Sequence, residues 1–254
     1  MPNPDQLSVQ LYTVRGALEE DFDGTLAKIA AFGYTQVEPF AFTRYLSELT
    51  AGLSAHGLTA PTTHMGLLAA DDQDEILAAA RELGIKTVIV PSSPRTAWET
   101  AEGIAGVAAD LNAAATKAAE YGLTVGYHNH EYELVSTIDG VHGLEVLAEQ
   151  LDDGVVLEVD TYWAHVGGAD VPALLERLGD RVVALHIKDG DGSLDNKKQV
   201  AVGSGSVPVD DYMAAAPNAL FVVELDDSEG DLVEAVGASR AYLVAGSADK
   251  GGAR

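Results

Sequence analysis

The stretch VVLEVDTYWAHVGGADVPALLERLGDRVVALHIKD, residues 155–189, decides the fold. It opens with the apolar run VVLEVD and closes with a second run, VVALHIKD, and both runs finish in ionisable side chains. Short runs rich in valine and leucine are typical of strands, and the segment between them is long enough for a crossover connection. The stretch therefore predicts two neighbouring parallel strands.

The same alternation of short apolar runs and longer helical segments extends in both directions from this stretch. The predicted strands are 7–13, 35–40, 58–64, 86–91, 123–130, 155–160, 182–189 and 220–226. The predicted helices are 25–33, 71–84, 99–122, 233–246 and a short one at 207–217 that ends at a proline. The segments 25–33 and 71–84 are examples that end in glycine, which is a common helix stop signal. Strand–helix alternation repeated eight times at this length predicts a (β/α)8 barrel, the TIM barrel.

The main alternative fold is a doubly wound open sheet. That fold usually carries a glycine-rich fingerprint after its first strand, whereas the segment that follows 7–13 here is VRGALEED. The sequence shows no linker rich in proline or serine and no shift in composition. We therefore expect residues 1–254 to form a single barrel domain, with a frayed tail SADKGGAR at 247–254.

The composition excludes several classes of partner. Fifteen basic residues stand against 40 acidic ones, and the formal net charge is −25, which repels nucleic acids and anionic membranes. Cysteine is absent, so neither a disulfide framework nor a thiol nucleophile is available. The opening MPNPDQLSVQLYT lacks the pattern of a signal peptide, and no apolar run reaches the ~18 residues that span a bilayer. We expect a cytoplasmic protein; a homo-oligomer remains an open alternative.

Ionisable residues end almost every predicted strand. In a barrel of this kind, active residues cluster at the carboxyl ends of the strands. A single histidine there is more often a core residue, and a single glutamate is often half of a buried ion pair. The repetition across neighbouring strands favours a functional site. Its candidates are Glu38, His64, His128, His130, Glu158, Asp160, His186, Lys188, Glu224 and Asp226.

The last three strands predict a metal site. Asp160, His186 and Glu224 end consecutive strands, and a barrel brings neighbouring strand ends together. This mixed set of nitrogen and oxygen ligands suits Mn²⁺, Mg²⁺, Co²⁺ or Zn²⁺. Glu158 precedes Asp160 by two residues and shares its face, so we expect it to orient a ligand, with Lys188 or His186 as its partner.

Seven segments together resemble a known family. The chain is similar, nearly from end to end, to the xylose-isomerase-like barrels of the sugar phosphate isomerase/epimerase superfamily. In that family a metal at the barrel mouth is held by Glu, Asp, His and Glu from strands five to eight. The resemblance maps the last three ligands onto Asp160, His186 and Glu224. The segments are LSVQLYTVRGAL, LAKIAAFGYTQVEPF, YHNHEYE, LEVDTYWAHVGGAD, LHIKDGDG, VAVGSGSV and FVVELDDSEGD.

The chain departs from the epimerases at the first ligand, where His128 stands in place of a glutamate. In epimerases that glutamate and the one on strand eight remove and return a proton beside a carbonyl. A metal meanwhile stabilises the enediolate. Barrels with a YH(N/H)H motif resemble inosose dehydratases and enzymes that cleave 3-keto-sugars, in which loss of a leaving group follows the same proton abstraction. We therefore expect a metal-dependent sugar isomerase or epimerase, with a lyase or dehydratase on a keto-sugar as the alternative.

Two other functions are weighed against these. A non-catalytic sugar-binding barrel is disfavoured by the nearly complete polar set at the strand ends. An endonuclease, as in related DNA-repair barrels, is disfavoured by the net charge of −25.

Roles follow for individual residues. The expected metal ligands are His128, Asp160, His186 and Glu224, with Mn²⁺ favoured, and the expected catalytic residues are His128, His130, Lys188 and Glu224. The expected contacts to a sugar or keto-sugar are Glu38, His64, Glu133 and Trp163. The alternative for Glu133 is a solvated loop acid, and the alternative for Trp163 is an anchor of its loop. The loop VGSGS, 202–206, is only a weak phosphate signal, because no basic residue accompanies it beyond Lys197 and Lys198. A phosphorylated substrate is therefore not required.

Overall fold

The computed structural model of the protein describes residues 3–249. Of the tail predicted to be frayed, 247–254, residues 247–249 belong to the last helix and 250–254 lie outside the described residues. The strands are β1 Leu7–Val9, β2 Thr62–His64, β3 Thr87–Val90, β4 Thr124–His128, β5 Thr137–Ile138, β6 Val141–His142, β7 Val155–Asp160, β8 Val182–Ile187 and β9 Leu220–Val223. The helices are α1 Arg15–Glu20, α2 Phe22–Phe32, α3 Leu46–His56, α4 Gln73–Glu82, α5 Ala101–Glu120, α6 Tyr132–Val135, α7 Gly143–Ala148, α8 Thr161–Val166, α9 Val171–Leu178, α10 Val209–Ala215 and α11 Leu232–Asp249.

Seven of the strands form one parallel sheet in the order β1-β9-β8-β7-β4-β3-β2. Segment 35–40 lies between the two edge strands and closes the sheet. On one side the Leu11 amide donates to the Glu38 carbonyl at 2.9 Å, and on the other the His64 amide donates to the Pro39 carbonyl at 2.8 Å. The prediction of a (β/α)8 barrel is confirmed, and the open doubly wound sheet is excluded.

The closing segment 35–40, which we call the seam, pairs with its neighbours less regularly than the other strands do. It is joined through three isolated bridges, Gln10 to Glu38, Gln36 to Thr59 and Phe40 to His64. Pro39 has no amide hydrogen to donate, and Ala41 turns the chain away with a positive φ of 41°. The predicted strand 35–40 is therefore present as a line of bridges.

Several predicted strands are longer than the observed ones. β7 has the predicted bounds, but the first strand stops at Val9, because the Gln10 side chain accepts the Tyr12 amide at 3.0 Å and starts a turn. The predicted strands 123–130 and 182–189 are β4 and β8 in the structure. They end at His128 and Ile187, two residues before the predicted ends. His130 and Lys188 consequently lie in the loops beyond the strands.

Helices surround the barrel and cover its apolar exterior. α5 shows why, because it buries Ile104, Val107 and Leu111 at helical spacing. It begins at Ala101, two residues after the predicted start, since the Thr100 hydroxyl accepts the Gly103 amide at 3.1 Å and caps the helix. Among the described residues, no helix has both the length and the apolar character that a bilayer crossing requires.

Candidate active site

The candidate site lies at the carboxyl end of the barrel, where inward-facing polar side chains replace the apolar core. Sheet register explains their meeting, because His128 pairs with Glu158 across β4 and β7, and Asp160 pairs with His186 across β7 and β8. All the residues that form the buried polar cluster are at most 9% exposed. They are Glu38, His64, His128, Glu158, Asp160, His186, Lys188 and Glu224.

Two overlapping groups in this cluster have the composition of a cation site. The outer set is His128, Asp160, His186 and Glu224, and the inner set is His64, His128, Glu158 and His186. Within each set, one ligand atom from every residue lies within 4.8 Å of all the others. The structure thus brings together the four side chains that the sequence predicted as metal ligands.

In the outer set, nitrogen and carboxylate atoms face one another closely. His186 Nδ1 lies 2.6 Å from Glu224 Oε2, and His128 Nε2 lies 3.7 Å from Asp160 Oδ2. The other oxygen of Asp160 accepts the Trp163 amide at 2.9 Å and caps α8. Asp160 is therefore held in place by the helix that follows its strand, with one oxygen left for the site.

In the inner set, each imidazole meets a carboxylate further down the barrel. His64 Nε2 lies 2.6 Å from Glu158 Oε2, and His186 Nε2 lies 3.1 Å from the same oxygen and 2.8 Å from Glu38 Oε1. His128 Nδ1 is 3.3 Å from Glu158 Oε2, a distance without hydrogen-bond geometry. The predicted pairing of Glu158 with His186 is present, and His64 is an additional, closer partner.

Lys188 pairs with three carboxylates rather than with Glu158. Its Nζ lies 2.9 Å from Asp160 Oδ2, 2.8 Å from Glu224 Oε2 and 2.7 Å from Asp226 Oδ2. Burial disfavours the ammonium, but the charges of Asp160, Asp226 and Glu224 outweigh it and raise the Lys188 pKa well above its ordinary value. Lys188 therefore supplies the cation that balances this end of the site in the structure.

The same balance of burial and charge sets the other protonation states. Burial raises the pKa of Asp160 to about 6, although Lys188 and His186 lower it. Burial also opposes the charged forms of Glu224 and His186. Lys188 and His186 nevertheless hold the Glu224 pKa well below its usual range, and Glu158 and Glu224 hold the His186 pKa well above. Glu224 and His186 thus form a charged pair.

The donor set fits a divalent cation. The outer set offers two imidazole nitrogens and two carboxylates, a mixture that suits Mn²⁺, Co²⁺ or Zn²⁺. Asp160 Oδ2 is buried without a directed hydrogen bond, so one oxygen of the outer set has an unfilled acceptor position. Buried polar atoms of this kind are rare unless a ligand, water or ion completes them.

A cavity of about 470 Å³ opens directly onto the outer set. His128 and Glu224 form part of its lining, and a neighbouring cavity of about 360 Å³ adds Trp163 and Arg15. The residues that line both cavities are Tyr12, Arg95, His130 and Asp226. A small polar molecule in these cavities would meet charged groups below and aromatic groups at the sides.

His130 presents a neutral imidazole to the cavities. Burial, followed by the charge of Lys188, lowers its pKa to about 4, and its Nδ1 has no hydrogen-bond partner. Its ring stacks on Tyr132 with centroids 5.6 Å apart and meets His128 edge-on at 5.3 Å. Although β4 ends before His130, the two histidines still lie together, as their spacing predicted.

The other polar residues of YHNHEYE hold this loop in place. Asn129 Oδ1 accepts the Asp160 amide at 3.0 Å, which ties the end of β4 to the end of β7. Glu133 Oε2 accepts the His130 amide at 2.8 Å, and its Oε1 accepts the Tyr127 hydroxyl at 2.7 Å. Asn129 and Glu133 thereby fix the positions of Asp160 and His130.

The structure brings only one of the four predicted sugar contacts to the cavities. Trp163 lines the smaller cavity, whereas Glu38, His64 and Glu133 lie beneath the cavity walls and bond protein groups. Sequence reasoning missed Tyr12, Arg95 and Tyr132 as lining residues, because each lies in a segment that follows a strand and whose path the sequence does not reveal. Asp226 also lines both cavities, and its position at the end of a predicted strand was the sequence signal that identified it as a candidate.

The Gly/Ser loop 202–206 surrounds a carboxylate of the protein itself. Asp189 Oδ2 accepts the amides of Gly203 and Gly205 at 2.9 and 3.0 Å, and its Oδ1 accepts those of Gly190 and Val207 at 2.8 and 3.2 Å. These amides, which resemble a phosphate-binding arrangement, are already satisfied. These four amides are therefore not available to a phosphate group.

Comparison with known proteins supports the sequence resemblance. The chain matches the Xylose isomerase-like TIM barrel family over residues 26–242. An inosose dehydratase from Geobacillus kaustophilus (strain HTA426) is 28% identical over 247 residues, which cover 84% of this chain and 79% of that protein.

Two solved structures share the fold. A sugar phosphate isomerase/epimerase from Parabacteroides distasonis ATCC 8503 has a TM-score of 0.78 and 24% identity, with 93% of this chain and 92% of that chain covered. The IolI protein, solved with a binding zinc atom, has a TM-score of 0.68 and 18% identity, with 94% and 96% covered. The family match spans most of the barrel and both candidate cation sets. The chain belongs to the Xylose isomerase-like TIM barrel family.

Proposed function

We propose that the protein is a divalent-metal-dependent enzyme that removes the proton next to the carbonyl of a polyhydroxylated keto compound, such as a keto-sugar or an inosose. The observation that carries this proposal is the outer set lying beneath a cavity that the imidazole of His130 also lines. A ligand set and a free base that face the same space are the two elements of enolate chemistry.

The outer set, His128, Asp160, His186 and Glu224, would hold the metal. When bound, the metal supplies an electrophile that polarises the carbonyl and stabilises the negative charge of the enolate. Lys188 sits between Asp160 and Glu224 and limits the net negative charge of this set. Mn²⁺ is our favoured ion, since carboxylate-containing mixed sets accept it readily.

His130 acts as the general base. Its neutral imidazole lines both cavities, and an uncharged nitrogen without a partner is free to accept a proton at neutral pH. His128 differs in belonging to the outer set: its two nitrogens face the carboxylates of Asp160 and Glu158, and its side chain is 3% exposed. The base of this site is therefore the second histidine of the motif.

Elimination is the outcome that we favour after proton removal. Epimerases of the superfamily use two glutamates that face each other, and in this chain His128, turned into the buried cluster, replaces one of them. The similarity to an inosose dehydratase supports loss of water in the same way. The product of a 2-keto polyol would then be an unsaturated ketone or its dicarbonyl tautomer.

Epimerisation or isomerisation is the second candidate. Glu224 lines the same cavity as His130, so two groups able to carry a proton face the substrate space. If Glu224 returns a proton to the enolate, the substrate skeleton keeps its oxygens and only the configuration or the carbonyl position changes. Both outcomes share the first step.

The experiment is incubation of the Mn²⁺-loaded protein with inososes and keto-hexoses in deuterated water, followed by NMR. We expect loss of the proton signal next to the carbonyl and, for the favoured outcome, signals of a dehydrated product. Deuterium incorporation into an epimer or isomer would support the second candidate. Absence of exchange across the panel, with metal bound, would overturn both.

A further inference from the structure

We propose that Glu38 and Glu158, with His64, are positioning residues that fix the tautomer and ring orientation of the two metal-ligating imidazoles, His128 and His186. This inference rests on the metal site of the proposed function. It assigns a task to three buried side chains that line neither of the two cavities described above and do not belong to the outer set.

His186 shows the arrangement most clearly, because each of its nitrogens faces a different set. Nδ1 points to Glu224 of the outer set, while Nε2 lies 2.8 Å from Glu38 Oε1 and 3.1 Å from Glu158 Oε2. A histidine can bind a metal through one nitrogen only when the proton sits on the other. A carboxylate at Nε2 holds the proton there and leaves Nδ1 for the metal.

His128 repeats the pattern with its nitrogens exchanged. Nε2 faces Asp160 Oδ2 at 3.7 Å, and Nδ1 faces Glu158 Oε2 at 3.3 Å. This contact lacks hydrogen-bond geometry, so the negative charge of Glu158 favours a proton on His128 Nδ1 without a directed bond, whereas the directed bond of Glu158 goes to His64 at 2.6 Å. The two rings themselves are in edge contact, with centroids 4.5 Å apart, so a rotation of one displaces the other.

His64 contacts both carboxylates and the ring of His186. Its Nε2 lies 2.6 Å from Glu158 Oε2 and 3.3 Å from Glu38 Oε1, and its ring stacks on that of His186 at 4.9 Å with an interplanar angle of 6°. Because Glu38 and Glu158 are at most 1% exposed, protein groups alone set their orientation. The carboxylates thus act on the substrate site only through the imidazoles.

Titration calorimetry with Mn²⁺ alone tests the proposal on the full chain, without any substrate. Loss of a carboxylate that bonds a metal-ligating histidine typically weakens metal binding by ~10–100-fold. We expect Glu38→Gln, which changes the directed partner of His186 Nε2, to show this loss, and Glu158→Gln to show the lower part of the range. Glu133→Gln is the matched control, because Glu133 is an equally buried carboxylate that bonds Tyr127 and the His130 amide instead. Its Mn²⁺ affinity should stay within about threefold of wild type.

A second readout follows the tautomers directly. In Zn²⁺-loaded protein with ¹⁵N-labelled histidine, NMR should place the proton of His186 on Nε2 and that of His128 on Nδ1, and Glu158→Gln should broaden or shift both signals. Unchanged Mn²⁺ affinity in Glu158→Gln and Glu38→Gln would overturn the positioning role while leaving the proposed function intact.

The stoichiometry separates the remaining outcomes. We expect one ion per chain in wild type and in both variants. Two ions in wild type, with one lost in Glu158→Gln, would show that the inner set is itself a ligand set and would overturn the proposal. A wild-type protein that binds no divalent ion would refute the metal dependence of the proposed function as well.

Discussion

Asp160 and Asp189 are two buried aspartates at the same end of the barrel, and their surroundings differ completely. One carboxylate oxygen of Asp160 accepts the amide of Trp163 in α8, and the other points toward Lys188 and His128. Asp189 gives both oxygens to four backbone amides, three of them in the loop 203–207. The first carboxylate keeps an acceptor position for a ligand, whereas the second is saturated by the protein.

The difference shows what separates a functional acid from a structural one. Both residues follow apolar strands, and both are at most 2% exposed, so neither burial nor position in the chain distinguishes them. The donors that the fold supplies make the distinction. Backbone amides fix a carboxylate permanently, while charged side chains beside a cavity leave it available to an exchangeable ion.

The largest effect should come from Asp160→Asn, which keeps the acceptor for the Trp163 amide but removes a charged ligand. The outer set then keeps only one of its two carboxylates. We therefore expect Mn²⁺ affinity to fall by more than the ~100-fold cost of losing a side chain that merely bonds a ligand, and we expect proton exchange to be lost. Calorimetry and deuterium exchange measure the two effects. Retention of wild-type affinity would show that Asp160 is not a ligand.

His130→Gln should rank next. Removal of a general base costs ~10²–10⁴-fold in rate, so proton exchange should drop by that factor while Mn²⁺ affinity stays near wild type. This split between rate and affinity separates a base from a ligand. An equal loss in both measurements would place His130 among the metal-holding residues instead.

Asp189→Ala tests the other side of the comparison. Hydrogen bonds to charged groups contribute ~1.5–3 kcal/mol each, and this change leaves several amides without an acceptor, so we expect the free energy of unfolding to fall by about 3 kcal/mol. Urea denaturation measures it. Mn²⁺ affinity of the folded fraction should remain at the wild-type level; a loss comparable to that of Asp160→Asn would remove the distinction between the two aspartates.

The smallest predicted effect concerns acid stability. The His130 pKa is lowered from 6.5 to about 4, chiefly by burial, so the unfolded chain binds this proton more readily than the folded one. The contribution of the neutral imidazole to the free energy of unfolding is complete above pH ~6.5 and is lost as the pH falls toward ~4. Metal-free wild type should therefore lose about 2 kcal/mol more than His130→Gln between pH 7.5 and 4.5. Parallel losses in the two proteins would contradict this.

The barrel and the outer set were accessible from the sequence because strand ends in a closed parallel sheet must converge. Asp160, His186 and Glu224 end consecutive barrel strands, β7, β8 and β9, and β4 brings His128 beside them. The side-chain partners were less accessible. Lys188 was predicted to be a catalytic residue or the partner of Glu158, whereas Asp160, Glu224 and Asp226 surround its ammonium group.

Glu133 and His64 show why the rest could not be predicted. A glutamate three residues past a histidine, beyond the end of a predicted strand, is typical of a solvated acid, but α6 turns Glu133 inward against Tyr127. His64 ends its strand as expected, yet whether a strand-end ring reaches the cavity or the layer beneath depends on the tilt and stagger of the strands. Alternation along a single strand does not encode that height.

The seam at 35–40 has a consequence for the dynamics of the protein. It is joined by isolated bridges, so its amides should exchange with solvent sooner than those of the continuous strands. Glu38 lies in the middle of this segment and contacts His186 across the barrel at 2.8 Å. An ion that immobilises His186 would therefore also slow the opening of the barrel at the seam. The rate of amide hydrogen exchange in the seam would then report whether the candidate metal site is occupied.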